Sequence, residues 1–195
     1  MLLRMIRYTP PMQITESPLK DLFVCQPKVA EDARGAFSEV LRMDQLAATG
    51  ITPEFVQMNH STSAQNVLRG LHFQWDKPLG KFIRAIGGNA FFAAVDIRKN
   101  STSFGKYFTV EVTAQNRTCL SVPPGFASGF CVTGDRAEIE YLYTAYYNPK
   151  GESNIRYDDP DVGIPWPIKD PILSERDQKA GSLAQWLERP EAELL

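Results

Sequence analysis

The central part of the chain alternates apolar and polar positions with the period of two that marks a half-buried strand. The pattern is clearest where Phe108, Val110 and Val112 are separated by Thr109, Glu111 and Thr113. Residues 55–59 alternate partly, and residues 119–122 and 139–147 continue the strand series. Residues 67–74, Val-Leu-Arg-Gly-Leu-His-Phe-Gln, form an apolar run that, as a regular strand, puts Arg69 and Leu71 on one face and Gly70 and His72 on the other. Between 81–86 and 90–98 stands Gly87-Gly88-Asn89, which predicts a hairpin joining two strands. Helical periodicity is weak and peripheral, at residues 43–48, stopped by Gly50, and at 181–188. Short strands separated by Gly and Pro turns predict an all-β sandwich or jelly-roll barrel. The Pro-rich residues 158–171 read as an extended strap across it, with no internal repeat or low-complexity segment.

Composition narrows the function classes. The 195 residues suit a single domain spanning 1–195, with the first 20 or so and 158–195 as extensions packed on the barrel. A net charge of −2 with no long basic run argues against a duplex nucleic-acid partner. The opening MLLRMIR is too short and too interrupted, by Arg4 and Arg7, for a signal peptide. No apolar run approaches the roughly 20 residues of a membrane helix. Cys25, Cys119 and Cys131 are odd in number and lack CxxC spacing, so they are expected as small buried hydrophobes in a reducing, cytoplasmic compartment.

The candidate chemistry starts from Arg69 and His72, an anion-binding group three residues from a side chain that titrates near neutrality. Three further clusters join it: Asp32-Ala33-Arg34-Gly35-Ala36-Phe37-Ser38-Glu39, a charged loop; Pro123-Pro124-Gly125-Phe126-Ala127-Ser128-Gly129-Phe130, a rigid turn entering a strand; and four tyrosines between Tyr141 and Tyr147. In a continuous strand Tyr141, Tyr143 and Tyr147 share a face and Tyr146 takes the other. Two histidines, His60 and His72, make a poor transition-metal site, and no metal is expected. His60 is read as a supporting residue, and Trp75, Trp166 and Trp186 as packing anchors. What remains is metal-free proton transfer beside a carbonyl: a histidine base, a tyrosine acid on the opposite face, and Lys81 near the developing oxyanion.

Taken together these segments resemble the dTDP-4-dehydrorhamnose 3,5-epimerase family. The likeness is an ordered series over about residues 21–177. It includes Asp32-x-Arg34-Gly35-x-Phe37-x-Glu39, Phe55-Val56-Gln57-Met58-Asn59-His60-Ser61, Arg69-Gly70-Leu71-His72-Phe73-Gln74, Gly80-Lys81, Pro124-Gly125-Phe126, Tyr146-Tyr147, Ile164-Pro165-Trp166-Pro167 and Leu173-Ser174-Glu175-Arg176-Asp177. The resemblance implies a cupin-type jelly roll, a homodimer whose subunits help complete each other's sites, no cofactor, and a nucleotide-linked 4-dehydro-6-deoxyhexose as substrate. It implies His72 as base, Asp177 as the carboxylate orienting it, Lys81 near the sugar carbonyl and Tyr141 as proton donor. Tyr141 precedes Tyr147, matched to the aromatic stacked on the nucleotide base, by six residues, which selects it over Tyr143. Arg69, Gln57 and Asn59 match diphosphate-side contacts; Arg34, Phe37, Glu39 and Glu152 match nucleotide-side positions, some expected across the dimer; Arg176 stands where lysine is common.

Ser128 occupies the position of a family histidine. A hydroxyl still donates a hydrogen bond but carries no cation. The resemblance therefore leaves open inversion at C3 and C5, at C3 alone or, more rarely, at C5 alone, on a dTDP-, GDP-, CDP- or UDP-linked sugar. A keto-isomerase of the same fold and a non-catalytic nucleotide-sugar binder are the alternatives, the latter disfavoured because binding needs no base–acid pair.

Overall fold

The computed structural model describes residues 12–51 and 53–195; the MLLRMIR stretch lies outside the described residues. Two strands organise the fold. β7 (Lys81–Asp96) and β10 (Phe126–Tyr143) run antiparallel side by side, and each contributes to both walls of a jelly-roll barrel. The first half of β7 pairs with β9 (Cys119–Val122), the second with β8 (Tyr107–Thr113). The first half of β10 pairs with β6 (Leu68–Gln74), the second with β5 (Gln57–Ala64). Beyond β9 lie β2 (Phe23–Gln26) and β1 (Gln13–Glu16), and beyond β6 the short β11 (Glu152–Asn154). The wall containing β6 thus faces the wall containing β5.

Gly87-Gly88-Asn89 is not a hairpin. The chain passes straight through it inside β7, at the corner where the strand leaves one wall for the other. Gly88 has φ +65°, and a Cβ there would lie 1.8 Å from the Arg136 carbonyl oxygen. The β10 register shifts opposite this corner, so the inward positions change parity: Ile83 and Ala85 before it, Ala90, Phe92 and Ala94 after it. Such a parity change looks like two strands when read from sequence.

Three other expectations need correction. β10 ends at Tyr143, so Tyr146 and Tyr147 follow it in an irregular segment and do not alternate across a sheet. The charged loop around Arg34 is a separate two-stranded sheet of β3 (Val29–Asp32) and β4 (Gly35–Ser38). In β6 a register shift opposes Arg69 to Phe130 and His72 to Ser128. Phe130 and Ser128 are two apart on one face of β10, so Arg69 and His72 share the inward face instead of dividing between two. Gly70, at φ +135°, makes this possible: a Cβ there would sit 2.6 Å from Gly129 Cα.

The inner core, including Ile83, Phe92, Phe126, Phe130, Val132 and Ile139, fills the apolar part of the barrel. A second core lies outside β6 and β7, where Leu71, Phe73, Val95 and Ile97 pack against the strap residues Val162 and Ile164 and against Trp186. Each such side chain contributes roughly 1.5–3 kcal/mol on burial. Trp75 and Trp166 pack at the edge of this cluster. Helix α1 (Met43–Ala47) stands where expected. Helix α2 (Glu175–Gln178) was not expected, and α3 (Leu183–Leu187) starts later than residue 181 because Ser182 is its N-cap in a capping box with Gln185.

Candidate active site

At one end of the barrel the inward face turns polar. From β5 come Gln57, Asn59, Ser61 and Ser63; from β6, Arg69 and His72; from β7, Lys81; from β10, Ser128, Tyr141 and Tyr143. They share this face because inward positions pair with inward positions across every ladder.

His72 Nε2 lies 2.6 Å from Asp177 Oδ1. Asp177 is almost fully buried on α2, whose N-cap Ser174 accepts from the Asp177 amide and donates to Oδ2 at 2.9 Å; Asn154 Nδ2 also donates to Oδ1. Burial works against ionisation here, but the bonds from His72, Ser174 and Asn154 outweigh it and hold the carboxyl below its usual range. A carboxylate only accepts, so Nε2 carries the proton and the Nδ1 lone pair is free.

Lys81 reaches from the opposite wall to donate to the His72 carbonyl at 3.1 Å and to Ser128 Oγ at 2.9 Å. Burial lowers its pKa to about 8, against the partly compensating charge of Glu152. Tyr141 lies on that same opposite wall, its hydroxyl 3.4 Å from Ser61 Oγ, and burial raises its pKa. Arg69 donates to Ser63 Oγ at 2.9 Å, bridging the walls.

Gln57, Asn59, Lys81, Tyr143, Tyr147 and Glu152 line a cavity of about 220 Å³. Gln57 donates to Asn59 and accepts from the Tyr147 amide, Tyr147 donates to Glu152 at 2.9 Å, and Glu152 pairs with Arg176. A larger cavity of about 480 Å³ borders Gly80, Pro123 and Pro124, but Lys81 is its only member of the polar set, and its Asp21 and Arg98 are already paired at 2.8 Å. Four of the polar set, Gln57, Asn59, Lys81 and Tyr143, line the smaller cavity; His72, Ser128 and Tyr141 are not part of its lining.

Not every expected residue arrives here. Arg34 is exposed and pairs with Asp32 at 2.6 Å, Phe37 is 63% exposed, and Glu39 neighbours Arg42. Within one chain their hairpin stands apart from His72. His60 points away on the outer face of β5, toward Glu138 at 3.7 Å. The three thiols are buried, and burial pushes Cys25 and Cys119 up to about 12 and Cys131 to about 11. Sequence reasoning missed Ser63 and Asn154 and gave no role to Ser61 and Ser174, which stand inside quoted motifs; of the four only Ser174, three before Asp177, has cap spacing.

The model of the dTDP-4-dehydrorhamnose 3,5-epimerase family matches residues 16–185. A dTDP-4-dehydrorhamnose 3,5-epimerase of Neisseria gonorrhoeae is 43% identical over 175 residues, 89% of this chain; the chain spans about half, 53%, of that relative's length. One of Shigella flexneri is 41% identical over 168 residues, covering 85% of this chain and 93% of the relative. The structure of a Legionella pneumophila dTDP-6-deoxy-D-glucose-3,5-epimerase, in complex with dTDP-4-keto-L-rhamnose, superposes with a TM-score of 0.87 at 37% identity, covering 95% of this chain and 97% of that one.

Proposed function

The chain belongs to the dTDP-4-dehydrorhamnose 3,5-epimerase family, and from that premise we propose that it epimerises a dTDP-linked 4-dehydro-6-deoxyhexose at C3, with C5 inverted as well. The observation that carries this reading is the His72–Asp177 pair, with His72 on one barrel wall and Tyr141 on the inward face of the other, and Lys81 reaching across to the His72 carbonyl.

In the proposed reaction His72 Nδ1 takes the proton from C3, the C3–H electron pair moves into a C3–C4 double bond, and the C4 carbonyl becomes an enolate oxygen. Asp177 fixes the reactive tautomer and stabilises the imidazolium. Lys81 stabilises the enolate, an effect of a size that typically reaches about 3–4 kcal/mol for one well-placed donor. Tyr141 returns a proton to C3 from the opposite side, inverting the centre; His72 then gives its proton to solvent and Tyr141 takes one up, so that repetition at C5 completes the double inversion. No cofactor enters, since the ketone itself delocalises the charge.

Arg69, Gln57, Asn59 and Arg176 would hold the diphosphate side, and Tyr147 and Glu152 the nucleoside side. The detached hairpin of Arg34, Phe37 and Glu39 supports a homodimer in which it reaches the partner's nucleotide. Among the described residues no helix is long and apolar enough to cross a membrane. Three buried free thiols support a cytoplasmic setting, where the product would feed deoxysugar assembly for a surface polysaccharide such as O-antigen.

The reading is tested by incubating the protein with dTDP-, GDP-, CDP- and UDP-linked 4-dehydro-6-deoxyhexoses and assigning product stereochemistry by proton NMR. Inversion at C3 and C5 of the dTDP sugar is expected. Inversion at C3 alone would trace to Ser128, and a 3-keto product would replace epimerisation by keto-isomerisation.

A further inference from the structure

Ser128 is buried on the inward face of β10, in register with His72 of β6 on one side and Ala94 of β7 on the other. Its neighbours along the strand, Phe126 and Phe130, belong to the apolar core. A hydroxyl is costly in such surroundings unless its bonds are satisfied. Among the described residues its hydrogen-bond contact is the Lys81 ammonium at 2.9 Å. An ammonium only donates, so Ser128 Oγ accepts there and its own proton is unspent. Lys81 in turn gives one N–H to Ser128 and one to the His72 carbonyl, leaving a third. Two unspent donors thus stand 2.9 Å apart, the serine in register with His72 and the lysine bonded to the His72 carbonyl. One oxygen atom can sit at hydrogen-bond distance from both.

We propose that Ser128 Oγ–H and Lys81 Nζ form a two-donor oxyanion hole for the C4 oxygen of the sugar, making Ser128 a catalytic residue. This rests on the epimerase reading above. When His72 removes the C3 proton and the electron pair reaches O4, the serine proton and the third lysine N–H both bond the oxygen more strongly than in the ketone. That difference lowers the barrier rather than merely tightening binding. No proton leaves serine; it changes acceptor strength only.

The test compares deuterium wash-in at C3 of a dTDP-linked 4-dehydro-6-deoxyhexose in D2O with the affinity for dTDP itself, which lacks the sugar. Ser128→Ala is expected to slow wash-in by about tenfold or more at unchanged dTDP affinity. Ser128→Cys, equal in shape but a weak donor, is expected to slow it as well and carries the test if the alanine variant does not fold. Wash-in at the unsubstituted rate in either folded variant would overturn the proposal. So would a parallel loss of dTDP affinity, which would mark Ser128 as structural. No wash-in with the unsubstituted protein would instead refute the epimerase reading, and the oxyanion hole with it.

Discussion

At the scale of single residues, the site is built from shifts in opposite directions. Asp177 is held ionised, Lys81 is brought down to about 8, and Tyr141 is pushed up by burial so that it keeps its proton until a carbanion takes it. The Lys81 value has a consequence for pH. If the cation stabilises the enolate, kcat falls as pH rises through about 8, because the ammonium is lost there rather than near 10.5. A pH–rate profile that stays level to pH 10 would remove Lys81 from that role. Tyr141→Phe, which deletes the proposed donor but not the base, should impair inversion more than deuterium exchange, as read by NMR of the same sample. The proposed base was legible from its own segment, beside Arg69, whereas its carboxylate Asp177 was legible only as a member of an ordered motif series. The small partners of the site were not: Ser61 beside Tyr141, Ser63 beside Arg69 and Asn154 beside Asp177 arrive through strand register, which no local pattern records.

At the scale of elements, the strands were legible and their connections less so. Period-two alternation identified β8, where Phe108, Val110 and Val112 all pack toward the inner core. It misread β7, where the parity change at Gly88 looks like a turn but is a corner between two walls. The same physics misplaced His72, since the irregularity at Gly70 brings it to the face of Arg69. Helix α2 escaped notice because four residues cannot show a helical period; its cap, not its pattern, sets it. Gly88→Ala should be strongly destabilising, by about 2 kcal/mol or more, since the added methyl would meet a backbone carbonyl and positive φ would add strain. Chemical denaturation measures it, and a loss below 0.5 kcal/mol, the ordinary surface range of roughly ±0.5 kcal/mol, would show that the corner yields freely.

At the scale of the whole molecule, one barrel serves two demands that oppose each other. Its apolar end and the outer layer under the C-terminal strap supply stability, while its polar end holds a lysine that burial disfavours in the charged form. Below pH 8 Lys81 is charged in both folded and unfolded chains, so folding carries the full cost; the cost eases between about 8 and 10.5. Lys81→Met is therefore expected to stabilise the protein at pH 7 by about 1–3 kcal/mol while abolishing turnover, measured by thermal melting beside the activity assay. A destabilised variant would mean that the bonds to Ser128 and the His72 carbonyl outweigh desolvation. His72 is the proposed base toward the carbon acid of a sugar nucleotide. The most direct test is solvent deuterium incorporation into a dTDP-linked 4-dehydro-6-deoxyhexose, run in parallel with the unsubstituted protein and His72→Ala. The account predicts incorporation at C3 and C5 by the first and none by the second, at equal dTDP affinity. Exchange by His72→Ala at the unsubstituted rate would contradict it.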